Sequence, residues 1–140
     1  MDTTPIAARL SAIASSVNAL KTLQSLTFEE FATDPILHAA AERHFQVAIQ
    51  AAIDIASILL ASESVQIPDS YKEIFYALAE TNIVPAEFAQ KLAHMAGFRN
   101  VLVHLYLVVD LERVFQYLQT NLEEFELFAK YVSEYIDQKG

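Results

Sequence analysis

Apolar residues recur along this chain at three- and four-residue steps, the spacing of one helix face, and no segment alternates as a half-buried strand would. Ile6, Leu10, Ile13, Val17, Leu20 and Leu23 mark the first such stretch. Pro5 stands in its first turn, where the missing N–H costs little, so a helix is expected over roughly Thr4–Ser25. Thr27, with Glu30 three residues on, has the form of a capping box for a short helical turn. Asp34-Pro35 is an N-cap and first-turn pair that opens a long helix, about Pro35–Ser62. Its stripe Leu37, Ala41, Ala48, Ala52, Ile55 and Leu59 is flanked by Phe45, Ile49, Ile53 and Leu60. A helix apolar on several sides belongs at the centre, with neighbours around it.

Ile67-Pro68-Asp69-Ser70 reads as a loop, with Asp69 or Ser70 capping a helix over Tyr71–Glu80. Thr81-Asn82-Ile83-Val84-Pro85 is a second break, and Pro85 starts a helix that carries Phe88, Leu92 and Met95 on one side. Gly97 is expected to kink that helix or to end it. Asn100 to about Asp137 reads as helical again, in two segments meeting near Asn121. No repeat or low-complexity linker divides the chain. The expected fold is all-α: one domain over residues 1–140, an up-and-down bundle of about four to five helices.

Composition narrows the chemistry. The 140 residues hold 9 Lys+Arg against 18 Asp+Glu, a net charge of −9, and 54 % are hydrophobic. No cysteine is present, so disulfides and Cys-ligated zinc or iron–sulfur sites are excluded. Two glycines cannot build a Gly-rich phosphate loop, and no HExxH occurs. His38 and Glu42 stand at i,i+4, as do Gln90 and His94, without the paired Glu-x-x-His of a di-iron bundle. No metal and no cofactor are expected. The acidity excludes a protein that holds nucleic acid by overall positive charge. The longest stretch without a charged residue, Leu10–Leu20, is well short of the about 20 residues of a membrane span. With no basic n-region at the start either, the expectation is a cytoplasmic chain without membrane contact. Glu123-Glu124-x-Glu126 reads as a solvated helix face, and Phe125, Phe128, Tyr131 and Tyr135 as a packing stripe.

One segment stands apart: Arg99-Asn100-Val101-Leu102-Val103-His104-Leu105-Tyr106. Polar and ionisable groups interrupt an apolar run that continues through Leu107, Val108 and Val109. On a straight helix Asn100 and His104 share one face, while Arg99 and Tyr106 share another that Asp110 and Arg113 extend. Two readings fit these residues. One is structural: a hydrogen-bonded core histidine, an arginine in a salt bridge or cap, and Asp110 as partner of Tyr106. The other is chemical. Neutral imidazole can take the proton from an RNA 2′-hydroxyl, and imidazolium can protonate the leaving 5′-oxygen. Arginine can hydrogen-bond the phosphate oxygens as charge builds on them. One chain supplies one such histidine and a two-fold dimer would supply two. Arg99 and His104 lie ~140° apart on a straight helix, so they converge only if the Gly97 region distorts it or two chains meet. Val101, Leu102, Leu105, Leu107 and Val108 are candidates for packing against that second chain.

Arg99-Asn100-x-x-x-His104-x-Tyr106 resembles the Arg-x4-His-x-Tyr motif of HepT-like toxins, a branch of the HEPN superfamily, with Asn100 at the polar position after the arginine. Ala41–Gln50, running on through Asp54-Ile55-Ala56, is similar to the family's second long helix, and Pro68–Phe75 to the loop and helix that follow it. The resemblance implies an all-helical homodimer acting as a metal-independent endoribonuclease on RNA, paired with an MntA-like nucleotidyltransferase antitoxin. It implies Arg99 and His104 as the catalytic pair, Asn100 as a supporting residue, and Tyr106 as the acceptor of AMP that silences the toxin. An AMP there would put a bulky anion beside Arg99, much as phosphorylation does. Two other functions fit the residues: a non-catalytic helical partner of a nucleotidyltransferase, and a nucleotide-binding subunit in which Arg99 grips a phosphate.

Overall fold

Side-chain caps set where most helices begin. Thr27 accepts a hydrogen bond from the Glu30 N–H while the Glu30 carboxylate accepts from the Thr27 N–H, completing the capping box. Asp34, Ser70 and Asp110 cap later helices through the N–H groups of Ile36, Glu73 and Arg113. The computed structural model describes residues 1–102 and 109–139. Among them the chain forms seven helices and no strand: α1 Thr4–Leu23, α2 Phe28–Thr33, α3 Pro35–Ser62, α4 Tyr71–Glu80, α5 Ala86–Leu102, α6 Leu111–Thr120 and α7 Glu123–Lys139. The number exceeds the four to five expected because α2 is a separate helix of only 6 residues and the stretch read as helical from Asn100 divides before Leu111 as well as at Asn121.

α3 is the central element and packs against each of the other six helices. The stripe expected to face the core is buried except for Leu37, which is half-buried, and Ala51 and Ala56 join it. Alanines at these positions let neighbouring helices approach closely. α1 lies along α3, and α4 lies along α5. At 28 residues, α3 is long and apolar enough by composition to cross a membrane. A search for uninterrupted charge-free runs passes over it, because Glu42, Arg43 and Asp54 break the run. In the fold, 56 % of its most apolar window is buried against other helices, as a core helix requires.

Gly97 does not end its helix: α5 runs from Ala86 to Leu102, and Gly97 has no positive φ. The cost of a glycine inside a helix, about 1 kcal/mol relative to Ala, is instead set against close packing. A Cβ at Gly97 would lie 3.4 Å from Cε of Lys72 on α4.

Four helices meet around one aromatic ring. Phe45 on α3 packs edge-on against Phe98 of α5 (5.3 Å between centroids) and Tyr117 of α6 (5.5 Å), and lies 6.3 Å from Phe125 of α7. Phe98 and Tyr117 are stacked at 4.1 Å. The Tyr117 hydroxyl donates to Glu124 Oε1 at 2.8 Å, and Asn121 Nδ2 donates to Glu124 Oε2 at 2.9 Å. Glu124 is therefore not part of a solvated face, whereas Glu126 is exposed and pairs with Lys21 at 3.2 Å. Burial pushes the Tyr117 phenol far above its ordinary range, and the adjacent Glu124 carboxylate raises it further.

Phe45→Ala empties the centre of this cluster and is expected to cost about 3–5 kcal/mol, read as a lower denaturant midpoint at unchanged slope. A loss below about 1 kcal/mol would mean that the ring is not central. Tyr117 must stay neutral in the fold, while in the unfolded chain it titrates near ~10. Its contribution is fully present below that pH and is lost as pH rises above it. Thermal stability should therefore fall as pH rises above about 10, and Tyr117→Phe should make that decline shallower. Identical declines in both proteins would refute the assignment.

Candidate functional site

The last carbonyls of a helix have no partner within it. At the end of α5 one is supplied from α3: Gln46 Nε2 donates to the Leu102 carbonyl at 3.3 Å. Arg99 lies one turn earlier, half-buried, with its guanidinium carbon 5.2 Å from the centroid of the Tyr71 ring at the start of α4. A guanidinium over a tyrosine face is held by cation–π attraction while its N–H groups remain available as donors. Asn100 follows on the exposed side of α5. His104 and Tyr106 lie outside the described residues, and so does the relation of either to Arg99.

The helix face expected to run from Arg99 through Tyr106 to Asp110 and Arg113 is not one face. Asp110 and Arg113 belong to the next helix, where the Asp110 carboxylate accepts from the Arg113 N–H at 3.2 Å as the N-cap of α6. Val101 and Leu102 are also corrected: both are buried in the chain's own core, not presented to a second chain. The apolar run at 101–109 suggested one continuous surface, but its first two members pack inward beside Phe98. Leu105, Leu107 and Val108 lie outside the described residues.

Between α5 and α6 a cleft of about 300 Å³ is lined by His94, Phe98, Arg113, Gln116, Tyr117 and Asn121. Its floor is the stacked Phe98–Tyr117 pair, and its walls are the helices on either side of residues 103–108. Four cations are in ion pairs: Arg9 with Asp54, Lys21 with Glu126, Lys130 with Glu134 and Lys139 with Glu63. Among the described residues Arg43 on α3, Lys72 on α4, Lys91 and Arg99 on α5, and Arg113 on α6 are in no ion pair. His38 and Glu42 do pair, at 2.9 Å, and among the described residues no three His, Asp or Glu side chains group as metal ligands.

Sequence reasoning missed Gln46, Tyr71 and Lys72 as neighbours of the Arg99 turn. Gln46 carries a weak signal, a polar residue on a largely apolar helix. Tyr71 and Lys72 carry none, because they lie more than twenty residues from Arg99 and meet it only through the packing of α4 on α5.

A family model described as ribonuclease HepT-like matches residues 13–132. An mRNA nuclease HepT of Shewanella oneidensis is 32 % identical over 99 residues, which span 71 % of this chain and 74 % of that protein. A tRNA nuclease HepT of Aphanizomenon flos-aquae is 28 % identical over 131 residues, 94 % of this chain and 89 % of that protein. Among solved structures, a tri-AMPylated Shewanella oneidensis HEPN toxin in complex with MNT antitoxin superposes with a TM-score of 0.85 at 26 % identity, covering 96 % of this chain and 99 % of that one. With the family match spanning most of its length and the fold shared from end to end, this chain belongs to the HepT-like ribonuclease family.

Proposed function

We propose that the chain is the toxin of a toxin–antitoxin pair, an endoribonuclease that cleaves RNA by metal-independent transesterification. The observation that carries this reading is the complete Arg99-Asn100-x-x-x-His104-x-Tyr106 motif in a chain of the HepT-like ribonuclease family. The position of Arg99 supports it: a half-buried guanidinium with no carboxylate partner among the described residues, in the last turn before the histidine.

The chemistry needs one base, one acid and a charge clamp. A neutral His104 takes the proton from the 2′-hydroxyl, and the 2′-oxygen forms a bond to phosphorus. The bond from phosphorus to the 5′-oxygen breaks, and that oxygen leaves with a proton from a second, protonated imidazole. The products are a 2′,3′-cyclic phosphate and a free 5′-hydroxyl. Arg99 donates to the phosphate oxygens as negative charge develops on them. The second imidazole is His104 of another copy, so the active species is a homodimer with the two motifs facing across its axis. Asn100 supports the pair as a hydrogen-bonding neighbour. A nucleotidyltransferase antitoxin of the MNT type, as in the similar toxin complex, would silence the enzyme by transferring AMP to Tyr106.

Purified protein should cleave RNA in EDTA and leave cyclic phosphate ends. His104→Ala should reduce cleavage by at least about a hundredfold and relieve growth arrest, while the oligomeric state stays unchanged. Cleavage or arrest that persists in His104→Ala would eliminate this mechanism. A tight complex with the partner but no cleavage at any pH would favour a non-catalytic helical subunit. Separately, mixing with the partner and ATP should add AMP to Tyr106, read by peptide mass spectrometry. An unmodified Tyr106 under those conditions would remove the silencing step and leave the cleavage claim standing.

A further inference from the structure

Gly97 has an ordinary helical backbone inside α5, so conformational freedom does not explain its presence. What it provides is room. The side chain of Lys72 crosses α5 at this position, with Cε 3.4 Å and Nζ 3.8 Å from where a Cβ would stand. The neighbouring residue, Tyr71, carries the Arg99 guanidinium on its ring at 5.2 Å. Two cations are thus brought to one seam between α4 and α5. Asp69 and Glu73 lie close to Lys72 in sequence, yet among the described residues neither Lys72 nor Arg99 is in an ion pair. In a chain with 18 acidic and 9 basic residues, two cations of one seam left without carboxylates form a small positive site suited to an external anion.

We infer that Lys72 is a second phosphate-binding residue of the ribonuclease site, seated on Gly97 and holding an RNA phosphodiester next to the one that Arg99 contacts. This rests on the reading of Arg99 given above. The two cations suit different tasks. The planar guanidinium can fork onto the scissile phosphate, whereas the ammonium is a point charge that tolerates the varied geometry of a flanking one. Lys72 touches no reacting atom, so it is a positioning residue.

The test uses the full-length chain and a labelled single-stranded RNA oligonucleotide, in a His104→Ala background so that binding is read without cleavage. Lys72→Ala is expected to weaken binding about tenfold and to reduce the slope of log affinity against log salt by about 0.7. Lys72→Arg should retain most of both. Gly97→Leu fills the seat, so it should weaken binding as Lys72→Ala does and add nothing to it in the double variant. In the cleaving protein Lys72→Ala should raise KM about tenfold and change kcat by less than about threefold. Lys72 is exposed, and an unchanged thermal unfolding curve verifies that Lys72→Ala folds. Unchanged affinity and salt slope in Lys72→Ala would overturn the inference, as would additive losses from Lys72→Ala and Gly97→Leu. RNA binding that depends on Lys72 in a chain that never cleaves would uphold the phosphate site and remove the ribonuclease reading. Absence of RNA binding in the parent chain would overturn both.

Discussion

The packing of Phe45 fixes the part of the molecule that carries Arg99. Its ring meets Phe98, Tyr117 and Phe125, one from each of α5, α6 and α7. Such aromatic pairs contribute about 0.5–1.5 kcal/mol each beyond the burial of their surface. Phe98 directly precedes Arg99, and Gln46, directly after Phe45, holds the Leu102 carbonyl. Two adjacent residues of α3 therefore grip α5 at positions 98 and 102, one helical turn apart. Contacts at two points along a turn define both its rotation and its axial position. The charge clamp proposed for Arg99 would need that fixity, because small misplacements at a reacting centre cost large factors in rate.

The electrostatic arrangement follows from where carboxylates are absent. A net charge of −9 repels nucleic acid at long range. Four of the cations are pinned by acidic partners on other surfaces. Among the described residues Arg43, Lys72, Lys91, Arg99 and Arg113 are not, and of these Lys72 and Arg99 are brought to one seam between α4 and α5. The acidic remainder suits contact with basic surface rather than with nucleic acid.

Much of the fold was legible because its determinants are local. The Thr27–Glu30 box, Asp34-Pro35 and Ser70 each act within a few residues, and each begins a helix where expected. The buried face of α3 follows from helical spacing alone. The reading of Gly97 as a helix end failed because a sequence shows a missing side chain but not the neighbour that fills the space. Asp110 was placed on the wrong helix because the apolar spacing continues across the junction, while its capping bond to Arg113 does not depend on apolar residues at all. Glu124 looked solvated in its run of acids, since its partners Tyr117 and Asn121 approach from across a helix break. At the site, Arg99 and Asn100 could be named from the motif. The Tyr71 ring, the Gln46 amide and the Lys72 ammonium become neighbours of that turn only through helix packing.

The centrality of α3 has a consequence for synthesis. It leaves the ribosome with only α1 and α2 available to cover it, while Phe98, Tyr117 and Phe125 have not yet been made. Phe125 follows Phe45 by about 80 residues, which at ordinary elongation rates is a wait of about 4–16 s. During that interval a 28-residue helix of near-membrane hydropathy is open on the faces later taken by α5, α6 and α7. The nascent chain is thus most exposed to aggregation, and most dependent on chaperones, before its Arg99 turn exists.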